Sequence, residues 1–322
     1  MEKKLKNKII LVTGGAGFIG SHLCEELLAL GVKVICFDNL SQSSPKNIQT
    51  FNNHKNFLFI KGDCNKKNDI EKILNKMKVD YVFHYAATVG VKRTVENPLS
   101  VLNDIEGIKN IFELSLKYKV KKIVFASSSE VYGEPVEIPE KENGILNAKI
   151  PYAHVKLIGE SYCSAYWEKY KLPAVALRFF NVYGPRQESS DYGFVVGIFM
   201  KQSLENKSLT VVNDGLMTRN FVYVKDNVSA ALRTLFTDEV NGKVLNIGTG
   251  KSVTILDLAK HIAKITKNNL KISFIPARNN HEILHREPDV TLQNKLLNYR
   301  PEFSLIEGLK LTYAWYKDNL TK

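Results

Sequence analysis

The sequence predicts an α/β fold built on a doubly wound parallel sheet, followed by a smaller C-terminal mixed α/β lobe. Three observations carry this. Short apolar runs alternate with helical patterns through the first half, a glycine-rich turn follows the first run, and the regular rhythm loosens after Asn181. Strand–helix alternation implies parallel strands covered on both faces.

The elements follow in order. Ile9–Thr13 is apolar, β-branched and of strand length. Ile19–Leu30 repeats apolar residues at helical spacing. Lys33–Asp38, Phe57–Lys61, Tyr81–His84 and Lys122–Ser127 read as further strands, with Lys67–Met77 and Leu99–Tyr118 as helices between them. Pro151 opens a helix to about Tyr170, because the missing proline N–H has no partner to lose in a first turn. Ala174–Phe179 is a buried strand, and Tyr183-Gly184-Pro185-Arg186 is a turn. Later come short strands at Asn220–Val224 and Val244–Ile247, a helix near Asp226–Phe236, and another at Ile255–Ile265. The expected division is 1–180, with 220–248 returning, as the first domain; 181–219 and 249–322 form the second lobe.

Composition excludes several classes. The chain has 322 residues, 44% hydrophobic and 24% charged, enough for a large core. No apolar run approaches the roughly 18 residues of a membrane helix. Met1 to Lys8 is basic, but a strand and a glycine turn follow it, so no signal peptide is expected. Cys24, Cys36, Cys64 and Cys163 are far apart without a C-x-x-C, which argues against a disulfide framework and a zinc cluster and for a reducing cytoplasm. The net charge of +12 suits an anionic partner, but the lysines are spread along the chain and no nucleic-acid module is present. Neither nucleic acid nor membrane is therefore expected, and the charge is assigned to solvated helix faces.

Thr13-Gly14-Gly15-Ala16-Gly17-Phe18-Ile19-Gly20 lies between a strand and a helix. Glycines here permit a tight turn and close backbone approach to a pyrophosphate, and the helix N-terminus offers free N–H groups. Asp38 ends the second strand. A carboxylate there accepts bonds from an adenosine ribose and repels a 2′-phosphate, so the expected cofactor is NAD. Further along, Tyr152 and Lys156 are four apart on one helix face. A phenol is a poor base near neutral pH; a neighbouring ammonium and a positive nicotinamide favour the phenolate. Ser127-Ser128-Ser129 at a preceding strand end can share the proton of a substrate hydroxyl.

Fingerprint, serine run and Y-x-x-x-K in this order resemble the extended short-chain dehydrogenase/reductase family, in its NAD-dependent nucleotide-sugar epimerase/dehydratase branch. Other matching pieces are Gly62-Asp63, His84-Tyr85-Ala86-Ala87, Glu96-Asn97-Pro98, Val131-Tyr132-Gly133, Arg178 to Arg186, and Thr218 to Val224. The resemblance covers essentially the whole chain. It implies a Rossmann domain with a smaller substrate lobe, and homodimerisation through helices 99–118 and 151–170. It implies NAD contacts from Gly14, Gly17, Phe18, Ile19, Gly20, Asp38, Asn39, Asp63, Cys64, Ala86, Ala87, Asn103, Ser127, Tyr152, Lys156 and Phe179. It also implies nucleotide-diphosphate-sugar contacts from Lys92, Ser128, Asn181, Arg186, Arg219, Arg278 and Arg286, with Ser128, Tyr152, Lys156 and Glu130 catalytic.

The branch begins with oxidation at C4 and diverges afterwards. A 4-epimerase returns hydride to the other face; a decarboxylase uses the 4-keto group as an electron sink; a 4,6-dehydratase needs a C5 base and a C6 acid. Glu130 resembles dehydratases and glucuronate decarboxylases, whereas Ser129 stands where deoxythymidine-diphosphate-glucose dehydratases carry Asp. His285-Arg286-Glu287-Pro288-Asp289 resembles decarboxylase-like members, and Val89-Gly90-Val91-Lys92-Arg93 resembles epimerases. The first expectation is an NDP-sugar 4-epimerase, with UDP-glucuronate decarboxylase or 4,6-dehydratase as alternatives. Two readings stand further off. One is a non-enzymatic NAD sensor, which need not retain Ser128, Tyr152 and Lys156. The other is a zinc hydrolase from His281-Glu282-Ile283-Leu284-His285, which matches H-E-x-x-H but is bracketed by Pro276 and Pro288. No metal is expected.

Overall fold

In this computed structural model the described residues are 2–90, 94, 96–190, 193–267, 271–276 and 283–320. The strands are β1 (Ile9–Thr13), β2 (Lys33–Asp38), β3 (Phe57–Lys61), β4 (Tyr81–His84), β5 (Lys122–Ser128), β6 (Ala174–Phe179), β7 (Asn181–Tyr183), β8 (Leu209–Val212), β9 (Thr218–Tyr223), β10 (Val244–Ile247), β11 (Ser252–Thr254) and β12 (Ile272–Ile275). The helices are α1 (Glu2–Leu5), α2 (Phe18–Ala29), α3 (Lys67–Lys76), α4 (Pro98–Leu102), α5 (Asp104–Lys117), α6 (Pro151–Tyr170), α7 (Val195–Leu204), α8 (Val224–Arg233), α9 (Ile255–Thr266), α10 (Thr291–Leu297) and α11 (Leu305–Leu320).

The chain divides into two compact units. The first comprises residues 1–131, 150–178 and 228–245. Residues 132–149, 179–180, 220–227 and 246–248, expected in this part from the sequence, cluster with the second unit instead. The central sheet has seven strands in the order β3-β2-β1-β4-β5-β6-β10. β1 pairs in parallel with both β2 and β4, and β4 in parallel with β5. Strand order therefore reverses between β1 and β4, the switch point at which open α/β sheets bind ligands. β5 and β6 are buried nearly end to end, as strands covered on both faces must be. Leu11, Val82, Ile111, Phe112, Phe125, Val155 and Cys163 belong to one core under α5 and α6. Gly159 lets α6 lie close on β5: a Cβ there would sit 2.1 Å from the Phe125 ring.

Every strand expected in the first half is present. The single helix expected at Leu99–Tyr118 is two, α4 and α5, with Asn103 between them in helical dihedrals. The second unit holds elements that the loosened rhythm did not announce: β7, β8, β11, β12, α7, α10 and α11. Its three-stranded sheet runs β11-β9-β7 and its two-stranded sheet pairs β12 with β8. These strands have three or four residues except β9, too few for periodicity to register. Asp226, on α8, knots this unit by accepting from Tyr299 Oη at 2.7 Å and from the N–H groups of Glu302 and Phe303.

Candidate active site

The glycine turn joins β1 to α2. Gly14 has φ +68°, and a Cβ on it would lie 2.7 Å from the Ala86 backbone nitrogen. A Cβ on Gly20 would lie 2.2 Å from the Gly14 carbonyl oxygen. The turn thus excludes side chains on two sides. The first turn of α2 has no capping side chain and no acidic residue, so its N–H groups and positive dipole end stay available to an anion. Asp38 accepts from Ala16 N–H at 3.0 Å, Leu40 N–H at 2.8 Å and Ser43 Oγ at 2.7 Å, which fixes its carboxylate beside the turn. Asn39 is exposed and closes a local turn onto Ser41 N–H. This cradle, with free helix N–H groups and a carboxylate to one side, fits an adenine dinucleotide without a 2′-phosphate.

Asp63 and Cys64 follow β3. The Asp63 carboxylate accepts from Asn65 N–H, and the Cys64 thiol is pushed far up by burial. Ala86 N–H bonds Thr13 Oγ1 at 3.3 Å, and the same hydroxyl lies 2.7 Å from His84 Nδ1. Burial, with Lys156 nearby, lowers His84 to about 3 from an ordinary value near 6.5. The neutral ring is therefore the one the fold requires. Its stabilising contribution is full above about pH 6.5 and is lost as pH falls toward 3. Denaturant melts are expected to show a loss of stability across that window which His84→Asn reduces; an equal loss in the variant would contradict this.

At the carboxyl end of β5, Ser127 and Ser128 part company. Ser127 is buried and donates to Glu160 Oε1 at 2.5 Å, so its hydroxyl is already committed. Ser128 is half-buried; it accepts from Glu130 N–H at 3.2 Å and lies close enough to Tyr152 to pull its titration down. Tyr152 and Lys156 rise from α6. Lys156 is 3% exposed, with its Nζ 5.0 Å from the Phe125 ring centre and 5.4 Å from that of Tyr152. It makes no hydrogen bond or ion pair with any described residue. Burial lowers it to about 8, opposed by Asp104 and Glu160. The Tyr152 phenol is pushed well up, chiefly by burial and further by Glu130 and Asp104, while Ser128 pulls it down. Lys156 is not among the groups that lower Tyr152, so in the protein by itself the lowering expected from it is not seen and desolvation prevails.

Asn103 is exposed, and its neighbour turns inward instead. Asp104 accepts from Thr88 N–H at 2.6 Å, and its carboxyl is pushed up by burial. Sequence reasoning missed Asp104 and Glu160. Glu160 was open to discovery by carrying the Tyr152–Lys156 spacing one turn further.

In the second unit, Asn181 Oδ1 is buried and accepts no hydrogen bond. Arg219 is half-buried and donates to the Thr218 carbonyl. Arg186 is half-buried at φ +67°. Arg286 is 1% exposed and donates to Glu140 Oε1 at 2.7 Å. Lys92 and Arg278 lie outside the described residues, as do His281 and Glu282. The rest of the H-E-x-x-H segment, Ile283–His285, is not helical. Phe179 is buried at the end of β6. No described helix is long and apolar enough to cross a membrane.

Comparison with known proteins identifies the family. Residues 10–248 match the NAD dependent epimerase/dehydratase family. The chain is 35% identical to UDP-N-acetyl-alpha-D-glucosaminuronate decarboxylase of Bacillus cytotoxicus, over 97% of this chain and 98% of that one. Among solved structures it is similar to UDP-glucose 4-epimerase of Thermotoga maritima with UDP-glucose, at TM-score 0.91, 35% identity, and 97% and 99% coverage. It is also similar to UDP-glucuronic acid 4-epimerase of Bacillus cereus in complex with UDP-glucuronic acid and NAD, at TM-score 0.88, 34% identity, and 96% and 99% coverage. With the dinucleotide cradle, the seven-stranded sheet and these matches together, the chain belongs to the NAD dependent epimerase/dehydratase family and is an NAD-dependent enzyme.

Proposed function

We propose that the chain is a nucleotide-sugar 4-epimerase working through a transient 4-keto sugar. The observation that carries this is the grouping of Ser128, Tyr152 and Lys156 where β5 ends and α6 begins, which is enough for reversible oxidation of one carbinol carbon. NAD, when bound, supplies the reversible hydride acceptor. Gly14, Gly17, Phe18, Ile19 and Gly20 would hold its diphosphate, Asp38 and Asn39 the adenosine ribose, and Asp63 and Cys64 the adenine side. Ala86, Ala87 and Phe179 would line it, and Lys156 would take the nicotinamide ribose.

Tyr152 takes the proton of the sugar hydroxyl, which Ser128 Oγ holds, and later returns it. Because burial resists the phenolate, the Lys156 ammonium, in turn unpaired with any described side chain, supplies the positive charge that the phenolate needs. Asn181 and Arg219 are the proposed contacts to the nucleotide diphosphate, for which a guanidinium is suited, with Arg186 and Arg286 as further candidate substrate contacts. Lys92 and Arg278 complete the set.

Glu130 favours a second reading. Its carboxylate bears on Tyr152, and a lyase needs one group beyond the Ser–Tyr–Lys set. The decarboxylase relative supports that reading, and Glu130 is also the candidate C5 base for a 4,6-dehydratase. A panel of UDP-, GDP- and dTDP-hexoses and hexuronates, followed by mass spectrometry and NMR, separates the three. Unchanged mass with a new sugar spin system is expected. Loss of water or of carbon dioxide would replace epimerase by dehydratase or decarboxylase. In the same assay Glu130→Gln is expected to leave turnover near wild type; abolished product would make Glu130 an acid–base residue.

Two coarser features complete the proposal. Leu99, 76% exposed, and Tyr170 leave apolar surface on α4 and α6, which supports self-association as a homodimer through helices 99–118 and 151–170. The four cysteines are free and buried, which supports a cytoplasmic setting.

A further inference from the structure

Helix α6 carries Tyr152, Lys156 and Glu160 at four-residue spacing, so the three share one face. Glu160 is 7% exposed. Its carboxylate accepts three bonds: from Ser127 Oγ at 2.5 Å, Arg178 Nε at 2.9 Å and Arg178 Nη2 at 2.7 Å. Ser127 precedes Ser128 on β5, and Arg178 lies on the adjacent strand β6. One buried carboxylate therefore ties α6 to two strands, one helical turn from Lys156. Packing by itself does not call for such a group, because a buried ion pair replaced by apolar residues of similar volume often leaves stability unchanged or higher. Directional bonds and a fixed negative charge are what apolar residues lack.

We propose that Glu160, held by Arg178 and Ser127, is a positioning residue for the Tyr152–Lys156 pair, fixing the rotation of α6 against β5 and supplying a negative charge one turn from the Lys156 ammonium. The inference rests on the role proposed above for Tyr152 and Lys156. The groups around Lys156 are few. Tyr152 and Glu160 share its helix, and Asp104 faces it from α5. His84 faces it from β4 and is kept neutral, and Phe125 from β5 presents an uncharged ring. Arg178 on β6 is bound to Glu160. Asp104 and Glu160 are thus the two anions that oppose the loss of charge burial imposes on Lys156.

The test is the pH dependence of kcat in NAD-loaded enzyme, with NMR titration of labelled Lys156 in protein without cofactor as a readout independent of turnover. Glu160→Gln is expected to lower the Lys156 titration and the alkaline limb of kcat together by about 1 pH unit. It is also expected to reduce kcat by roughly 10- to 100-fold, with KM for the nucleotide sugar unchanged. Glu160→Asp, which keeps the charge, restores the limb. Should Glu160→Gln fail to fold with Arg178 left facing an amide, the Glu160→Gln/Arg178→Met double variant is expected to give a smaller shift in the same downward direction, because the Arg178 cation is removed with the anion. A titration and limb that stay at wild-type positions, or a change confined to KM or thermal stability, would overturn the proposal. Tyr152→Phe run in parallel keeps the two ideas apart: if it retains turnover, the underlying reading fails; if it is inactive while the Glu160 variants keep the wild-type profile, only this inference fails.

Discussion

Tyr152→Phe is expected to lower turnover by about 10³-fold while leaving NAD bound. The substitution removes one oxygen and keeps the ring, so the packing of α6 on the core, including the Lys156 ammonium 5.4 Å from that ring centre, persists. What is lost is the group that takes the substrate proton. Ser128 remains but has no means of ionising near neutral pH, and Lys156, still charged below about pH 8, cannot accept one. The nucleotide cradle at Gly14–Gly20 and Asp38 does not include the phenol, so NAD stays bound even where one contact from Tyr152 is lost. Single-turnover reduction of bound NAD by a nucleotide sugar, followed by absorbance, separates loss of chemistry from loss of binding. Near-normal reduction in the variant would remove Tyr152 from the proton-transfer role.

Glu140→Ala is expected to destabilise the second unit by about 3–5 kcal/mol. Arg286 is the partner, and both side chains are almost wholly buried. Glu140 Oε1 accepts from Arg286 Nη1 at 2.7 Å and Oε2 from Glu287 N–H at 2.9 Å. The backbones pair as well, Glu140 N–H with the Glu287 carbonyl and Asp289 N–H with the Glu140 carbonyl. Removing the carboxylate strands a guanidinium in a site too dry to solvate it. The Glu140→Gln/Arg286→Met double variant is expected to recover most of the loss, because it removes both charges together. Urea melts of the wild type, the single variant and the double variant form the check. A single variant within about 1 kcal/mol of wild type would show that water reaches the pair. If Arg286 also takes the diphosphate, the double variant stays folded and loses affinity for nucleotide sugars, which separates stability from binding.

Legibility differed between the two units for a physical reason. In the first, strands of four to seven residues alternate with helices such as α3 and α6, of ten and twenty residues, and each of these leaves its own periodicity in the sequence. Val244–Ile247 carries the same signal, although it reaches the sheet edge next to β6 after a long excursion. In the second unit, β7 and β11 have three residues each, and their pairing with β9 comes from distant segments of chain. A strand that short is defined by its partners.

The site shows the same division. Sequence by itself determined the chemistry that was available: a glycine turn before a helix, an acidic residue ending β2, and a Tyr and Lys on one helix face. These follow from local geometry, in which spacing sets direction. Tertiary structure decided which of the candidate groups are free to act. Ser127 and Ser128 are neighbours with the same side chain, yet one is spent on Glu160 and the other meets Tyr152. Asn103 faces out while Asp104 faces in. Burial raises Tyr152 more than any neighbour lowers it. Each outcome depends on desolvation and on partners from other strands and helices, and neither quantity is carried by the order of residues along the chain.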